Sequence, residues 1–131
     1  MKNSEQSKQR SVGASQGKND LEERTLNFAV ATVRFVASFP PNEVSRVLGR
    51  QLLRAATSIG ANYREANRAE SREDFIHKTA IAQKEAAETD YWMQICQQSG
   101  IGEAAHATTL SSEARELLAI LTTINRKAKG R

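Results

Sequence analysis

Apolar and small side chains recur in four separate segments of the sequence, at alternating spacings of three and four residues. In the second segment these positions are Leu48, Leu52, Ala55, Ile59, Asn62 and Ala66. Such spacing places the side chains on one stripe of an α-helix, which becomes buried when helices pack side by side. The only prolines are Pro40 and Pro41, so the chain is free to be helical on either side of them. The pattern predicts an all-α protein, an antiparallel up-down-up-down four-helix bundle.

Capping residues set the expected starts of the first and third helices. Asp20 followed by Glu23 has the arrangement of a capping box, which predicts that the first helix begins at Asn19 or Asp20. Ser71 followed by Asp74 predicts the start of the third helix in the same way. We therefore expect only a short turn between the second and third helices.

Proline and glycine residues set the remaining helix limits. Pro40 ends the first helix, and the second is expected over residues 42–67. Gly60 lies inside that helix at a cost of about 1 kcal/mol relative to alanine, so we expect it at a close approach between helices. Gly100 is expected to end the third helix, and the fourth begins near Glu103.

The positive charge of the chain is concentrated at its two ends. The formal net charge is +4, yet residues 1–18 carry about +3, the last six residues about +4, and residues 19–125 about −3. The first 18 residues are mostly polar and cannot bury enough surface to offset the entropy of ordering them. We therefore predict a disordered basic tail over 1–18, the bundle over 19–128 and a basic C-terminal end over 129–131.

Cysteine content and hydropathy indicate the expected compartment. Cys96 is the only cysteine, so no internal disulfide can form. No apolar run approaches the 18 residues or so that a membrane-spanning helix requires. We expect a cytoplasmic protein without membrane association.

The first helical segment carries two apolar rows. One row, which contains Phe28 and Phe35, is expected to face its own bundle. The second row contains Leu26, Val30 and Val33, and we refer to these three residues as the outer apolar row. Two rows indicate a helix covered from two sides, so we predict that the outer apolar row contacts other copies of the chain in a homo-oligomer.

Polar residues interrupt or flank the stripes that should be buried. We refer to this set as the polar seam: Arg54, Asn62, Lys78, Glu85 and Thr89. If the turn after the second helix lies near residue 69, equal rise along the two helices places Arg54 opposite Glu85 and Arg64 opposite Asp74. An Arg54–Glu85 ion pair would then fix the register of the two helices. The alternative is that the seam lines a polar pocket or a pore.

Arginines form a row on the other side of the second helix. We consider four of them as nucleic-acid-binding candidates: Arg46, Arg50, Arg64 and Arg68. Guanidinium groups one turn apart present forked donors along a line, which suits a phosphate backbone. The alternative is a solvated face whose arginines pair with nearby acids such as Glu43, because charged rows on helices are usually solvated.

The sequence contains no convincing arrangement for catalysis. His77 follows Glu73 and Asp74 at helical spacing, but a di-iron bundle needs Glu-x-x-His motifs on two helices, and His106 stands alone. Cys96 is expected to be a small buried side chain. We therefore expect no catalytic residues, no metal and no cofactor.

The second and third segments together resemble a known family, the four-helix-bundle proteins encoded in intervening sequences of bacterial 23S rRNA genes. The matching residues are Arg54, Ser58, Ile59, Ala61, Asn62, Glu65, Ala66, Arg68, Ser71, Asp74, Phe75, Ile81, Ala82 and Glu85, with Phe39 and Pro40 ahead of them. The likeness extends from about Leu21 to Ile124, and Ala66 stands where a common family form has glycine. It implies a homopentamer around a central opening, a link to the ribosome, and no catalytic residues. A related group of pentamers binds nucleic acid as an accessory to reverse transcriptases.

Two functions are consistent with these features. The first is a non-enzymatic, oligomeric helical bundle that associates with RNA or the ribosome through arginine rows and basic tails. The second is a protein–protein interaction scaffold that binds a protein partner and no nucleic acid. An enzyme is the weakest of the three classes considered.

Overall fold

The computed structural model describes residues 14–130 of the chain, which form four α-helices and, within that range, no β-strand. The helices are α1 (Ala14–Ala37), α2 (Glu43–Asn67), α3 (Arg72–Ser99) and α4 (Ala104–Ala128). The predicted all-α fold with four helices is confirmed. None of the helices in the described range combines the length and the apolar character needed to cross a membrane.

Three helix ends, one of α2 and two of α3, are capped by residues at or next to the predicted limits. Asn42 caps α2, and its side chain accepts a 2.9 Å hydrogen bond from the Ser45 backbone N–H. Ser71 caps α3 and accepts a 3.0 Å bond from the Asp74 N–H. Gly100 ends α3 with a φ of 70°, a left-handed conformation that glycine adopts without steric cost.

The start of α1 differs from the prediction. The helix begins at Ala14, so Asp20 lies inside it and is not its N-cap. Gly17 is the weakest helix former between the two positions, and its cost of about 1 kcal/mol is too small to end a helix that continues into a packed segment. Residues 1–13 of the predicted basic tail, and Arg131 at the C-terminus, lie outside the described residues.

The core is built from the predicted stripes of all four helices. Fully buried side chains include Phe35 of α1, Leu52 of α2, Met93 of α3 and Leu117 of α4. Four threonines are buried among them, and no hydroxyl is left without a hydrogen bond, because each donates to a carbonyl of its own helix: Thr25, Thr32, Thr79 and Thr89.

Two glycines of α2 allow α1 to pack closely against it. A Cβ atom on Gly60 would lie 2.8 Å from Thr25 Oγ1, and one on Gly49 would lie 2.8 Å from Val36 Cγ1. Both distances are shorter than real Cβ contacts, so the helices could not approach so closely with larger residues. The expectation of a close approach at Gly60 is confirmed. Helix α1 packs much less closely on α4 than on α2.

Candidate functional site

The predicted arginine row of α2 does not form one free surface, because several of its members are ion-paired. Arg46 bonds to Glu43 one turn earlier, with 2.8 Å between Nη2 and Oε1. Arg64 faces α1, where its Nε lies 3.9 Å from Glu22 Oε1 and its Nη2 donates to the Glu22 carbonyl at 3.5 Å. Arg46 and Arg64 are therefore paired with acids rather than free to meet a phosphate backbone.

Arg50 and Arg68 are exposed, and they differ from the other two members of the row in their pairing. Neither forms an ion pair with an acidic side chain within residues 14–130. Arg68 Nη1 donates only to the Arg64 carbonyl, at 3.3 Å. These two guanidinium groups are the part of the row that can contact an external anion.

Arg54 lies on the other edge of α2 and faces α3. Its Nη1 is 3.4 Å from Glu85 Oε1, so the structure places the two residues of the predicted ion pair in contact. Arg54 also bonds to Glu88 through Nη2. Hydrogen bonds from Trp92 and Arg54 lower the pKa of the Glu88 carboxyl, and the Trp92 bond is the larger cause. A single guanidinium thus holds two carboxylates of the neighbouring helix.

The predicted opposition of Arg64 and Asp74 is wrong. Glu65, one residue further along α2, faces α3 instead and accepts a 2.8 Å bond from Lys78 Nζ. One residue turns the direction of a side chain by about 100°, which is enough to direct Arg64 to α1 and Glu65 to α3. The bond lowers the pKa of Glu65 and raises that of Lys78.

The remaining members of the polar seam bond within their own helices. Asn62 is half-buried, and its Nδ2 donates to the Ser58 carbonyl at 2.8 Å. Thr89 is fully buried and donates to the Glu85 carbonyl at 2.7 Å. These contacts give the seam a structural explanation at the α2–α3 interface.

Two further polar contacts between helices were not found from the sequence. Asn125 of α4 is buried, and its Nδ2 donates to Thr79 Oγ1 at 2.9 Å and to the Ile76 carbonyl at 3.0 Å. Arg24 of α1 binds Glu113 of α4 with two hydrogen bonds of 2.6 and 2.8 Å. The signal for Asn125 was its position beside the predicted apolar stripe, whereas nothing in the sequence pattern singles out Arg24.

The outer apolar row lies on the outside of the bundle. Leu26, Val30 and Val33 are 50%, 40% and 47% exposed, and they stand on the side of α1 opposite its buried stripe. Val44 and Val47, at the start of α2, are also exposed, at 61% and 45%. The structure thus leaves the three predicted interface residues uncovered in a single copy of the chain.

The potential metal ligands and the one thiol among the described residues are separated from one another or buried. No group of three or more His, Cys, Asp or Glu side chains comes together in a metal-binding arrangement within that part of the chain. Cys96 is buried, and the loss of hydration raises the pKa of its thiol to about 11. His106 packs edge-on against the Phe35 ring, with 5.3 Å between the ring centroids.

An apolar cavity lies at one end of the bundle. It has a volume of about 430 Å³ and is lined by residues of all four helices: Gly17, Asp20, Leu21, Arg24, Tyr63, Asn67, Phe75, Ile120 and Ile124. Burial raises the pKa of Tyr63 in its wall. Arg24 at its mouth is occupied by the carboxylates of Glu113 and Glu116, whose hydrogen bonds raise the pKa of the guanidinium.

Comparison with known proteins gives the chain a family. The 23S rRNA-intervening sequence protein family matches residues 18–123. Among solved structures, the chain is similar to a Bacteroides thetaiotaomicron protein with unknown function that belongs to the S23 ribosomal protein family. The two are 35% identical with a TM-score of 0.77, and the similarity covers 83% of this chain and 97% of the other. No curated protein matches. The chain therefore belongs to the family of 23S rRNA-intervening sequence proteins.

Proposed function

We propose that this chain is a non-enzymatic protein that assembles as a homo-oligomer, a pentamer, and associates with RNA or the ribosome through exposed arginines and basic ends. The observation that carries the assembly is the outer apolar row, which remains 40–50% exposed on a helix already buried on its other side. A protein that binds RNA only as a monomer would not need three branched apolar side chains in a row on its surface.

An up-down-up-down antiparallel bundle is the protomer of this assembly. Three contacts support that arrangement of α3 and α4. Thr79 near the start of α3 meets Asn125 near the end of α4, Asp90 meets Ser111, and Gln97 meets Thr108. As the residue number rises along α3, the number of the contacting residue in α4 falls, which is the order that antiparallel helices produce.

Assembly would bury the outer apolar row and repeat each charged surface around an axis. Leu26, Val30 and Val33 are spaced so that they share one side of α1, and this row can meet the same or an adjoining surface of a neighbour. Burial of apolar surface contributes about 25 cal/mol per Å² to the free energy of association, so burying three branched side chains stabilises an interface at its centre. The pentamer itself is the expectation given by the family resemblance.

The RNA association rests on Arg50, Arg68 and the basic residues of the ends. Arg126 and Lys127 lie in the last turn of α4 and Lys129 follows it. A single copy presents few such cations, and each surface phosphate contact is weak in the presence of salt. A ring of copies would present the same cations several times, and multivalent binding raises affinity without any new contact.

The assembly can be tested by light scattering coupled to size-exclusion chromatography. We expect the wild-type protein to elute as a pentamer and Val30→Glu to elute as a monomer with unchanged helix content by circular dichroism. Val44→Glu is a matched control, since Val44 is an exposed valine outside the row. A wild-type monomer at high concentration, or a pentamer that survives Val30→Glu, would contradict the assembly through this row.

RNA association can be tested by fluorescence anisotropy with a labelled fragment of 23S rRNA. We expect binding that weakens steeply with salt, and a further loss in the double variant Arg50→Gln/Arg68→Gln. Lys84→Gln is the control, because it removes an exposed cation from α3 instead. Salt-independent binding, no binding, or an equal loss in the control would argue against these arginines as the contact.

A protein–protein scaffold is the second candidate, and the ion pairs of α2 favour it. Three arginines that could have met RNA are paired with acids of the same chain: Arg46, Arg54 and Arg64. The scaffold predicts a defined protein partner that remains bound after nuclease treatment and is unaffected by Arg50→Gln/Arg68→Gln. Loss of that partner on nuclease treatment would indicate that the two proteins are held together by RNA.

A further inference from the structure

A groove separates the end of α1 from the start of α2, on the side of the bundle that carries the arginine row. Its volume is about 380 Å³. We call it the α1–α2 groove, and its lining residues are Val36, Phe39, Pro40, Pro41, Asn42, Ser45, Arg46, Gly49, Arg50 and Leu53. Its size is that of a site for a small molecule rather than for a helix of a partner.

The walls of the α1–α2 groove are apolar. Val36 comes from the end of α1, Phe39 and the two prolines from the segment that follows it, and Leu53 from one helical turn beyond Gly49. The Phe39 ring is held in place edge-on against Phe35, with 5.1 Å between the centroids. These groups can receive a short hydrocarbon chain or one ring.

The rim of the groove is cationic. Arg46 and Arg50 stand one helical turn apart, and both line it. Arg50 has no acidic partner within residues 14–130, and Arg46 already binds a carboxylate, that of Glu43, which is 75% exposed. The groove also lies beside the first turns of α2, whose N-terminal end favours negative charge. All of these features favour an anionic group at the rim.

Ser45 lies in the lining with its hydroxyl unsatisfied. The residue is only 2% exposed, and its Oγ has no hydrogen-bond partner in the described chain. The other buried serine and threonine side chains of residues 14–130 all bond to the protein; Ser111, for example, donates to Asp90 at 2.6 Å. A buried hydroxyl without a partner is unfavourable, so a ligand that accepts its hydrogen bond would gain from it.

We propose that the α1–α2 groove binds a small amphipathic carboxylate. The carboxylate accepts hydrogen bonds from Arg50 and shares Arg46 with Glu43, whose side chain already accepts a bond from Arg46 in the free protein. The hydrocarbon body lies against Phe39 and the neighbouring apolar wall, and the Ser45 hydroxyl, which is closed to solvent in the free protein, rotates to donate to the ligand. This site shares Arg50 with the proposed RNA contact but differs from it in the apolar wall, because a phosphate backbone has no apolar body to fill the groove.

The proposal can be tested with octanoate as the probe and the full-length chain, by isothermal titration calorimetry. Two matched compounds separate the contributions: octanol has the same body without charge, and acetate has the charge without the body. We expect octanoate to bind at least about tenfold more tightly than either, since a charge-assisted bond and the burial of several methylenes each contribute that much.

Variants of the groove then identify the groups responsible. Arg50→Gln should weaken octanoate binding about tenfold or more, and Ser45→Ala about fivefold, whereas Lys84→Gln should leave it unchanged. Ser45→Ala should not lower the melting temperature, because the hydroxyl bonds to no group of the free protein. A Ser45→Ala protein that melts earlier would show that the hydroxyl already has a structural partner.

Three results would overturn the site. Equal affinity for octanol and octanoate would show an apolar contact without anion recognition. Equal affinity for acetate and octanoate would show an ion contact alone. A loss in Lys84→Gln as large as that in Arg50→Gln would show a general effect of net charge rather than a bound carboxylate.

Discussion

Substitution of Gly60 by alanine tests whether the close approach of α1 and α2 is real. Alanine is the better helix former by about 1 kcal/mol, so an unconstrained position would gain stability. At Gly60, however, the new Cβ would lie 2.8 Å from Thr25 Oγ1 and 3.0 Å from Thr25 Cβ. Thr25 is fully buried, and its hydroxyl is bonded to the carbonyls of Leu21 and Glu22, so it has little freedom to move.

The two opposing effects give an estimate of the net change. Overpacking of a buried contact costs about 1–3 kcal/mol, and the gain in helix propensity offsets about 1 kcal/mol of it. We therefore expect Gly60→Ala to lower the free energy of unfolding by about 1 kcal/mol, equivalent to about 3–5 °C in melting temperature for a domain of this size. Urea unfolding followed by circular dichroism measures the change, provided that the m-value stays constant.

Gly17→Ala is the matched control. Gly17 is also helical, but a Cβ there would meet no atom within 4 Å, so the substitution should stabilise the protein by about 0.5–1 kcal/mol. In the double variant Gly60→Ala/Thr25→Ala the two losses should be less than additive, because the contacting hydroxyl is gone. A Gly60→Ala protein as stable as the wild type would refute the close approach.

Three further predictions concern the α2–α3 interface and the core. Arg54→Glu and Glu85→Arg should each destabilise the fold, and the double exchange should restore much of the loss; no rescue would mean that the contact at 3.4 Å does not fix the register. The pKa of Glu88 is lower in the folded protein than its ordinary value of 4.5, so the ionised carboxylate stabilises the folded state above pH 4.5. This contribution to the free energy of unfolding should be lost as the pH falls from 4.5 through the folded-state pKa. Glu88→Gln should therefore make the free energy of unfolding less dependent on pH in that range. Because burial raises the pKa of the Cys96 thiol to about 11, it should react with a disulfide reagent at pH 8 only after the protein is unfolded; rapid reaction of the native protein would contradict its burial.

Local chemistry explains why the helices could be predicted from the sequence. The stripes of α2, α3 and α4 and the caps at Asn42, Ser71 and Gly100 depend on residues within a few positions of one another. The start of α1 was misjudged for the same reason. Asp20 and Glu23 have the local pattern of a cap, but that pattern does not act while the preceding residues are themselves helical.

The partners of the charged side chains were harder to predict, because they depend on how the helices are rotated about their axes. The position opposite Arg54 was predicted from rise alone and proved to hold Glu85. The same reasoning failed for Arg64, whose direction around α2 leads to Glu22 of α1. The Arg24–Glu113 pair joins residues 89 positions apart in the chain, and no periodicity of the sequence relates such distant residues.

The two glycines of α2 have a consequence for any assembly built on α1. Gly49 and Gly60 lie about three helical turns apart, and Val36 and Thr25 of α1 fit against them at the same interval. Sliding α1 by one turn would bring bulkier side chains of α2 against both contacts, so the height of α1 along the bundle is fixed. Leu26, Val30 and Val33 therefore stand at one fixed height relative to α2 in every copy, so any neighbour that binds this row meets it at a defined position.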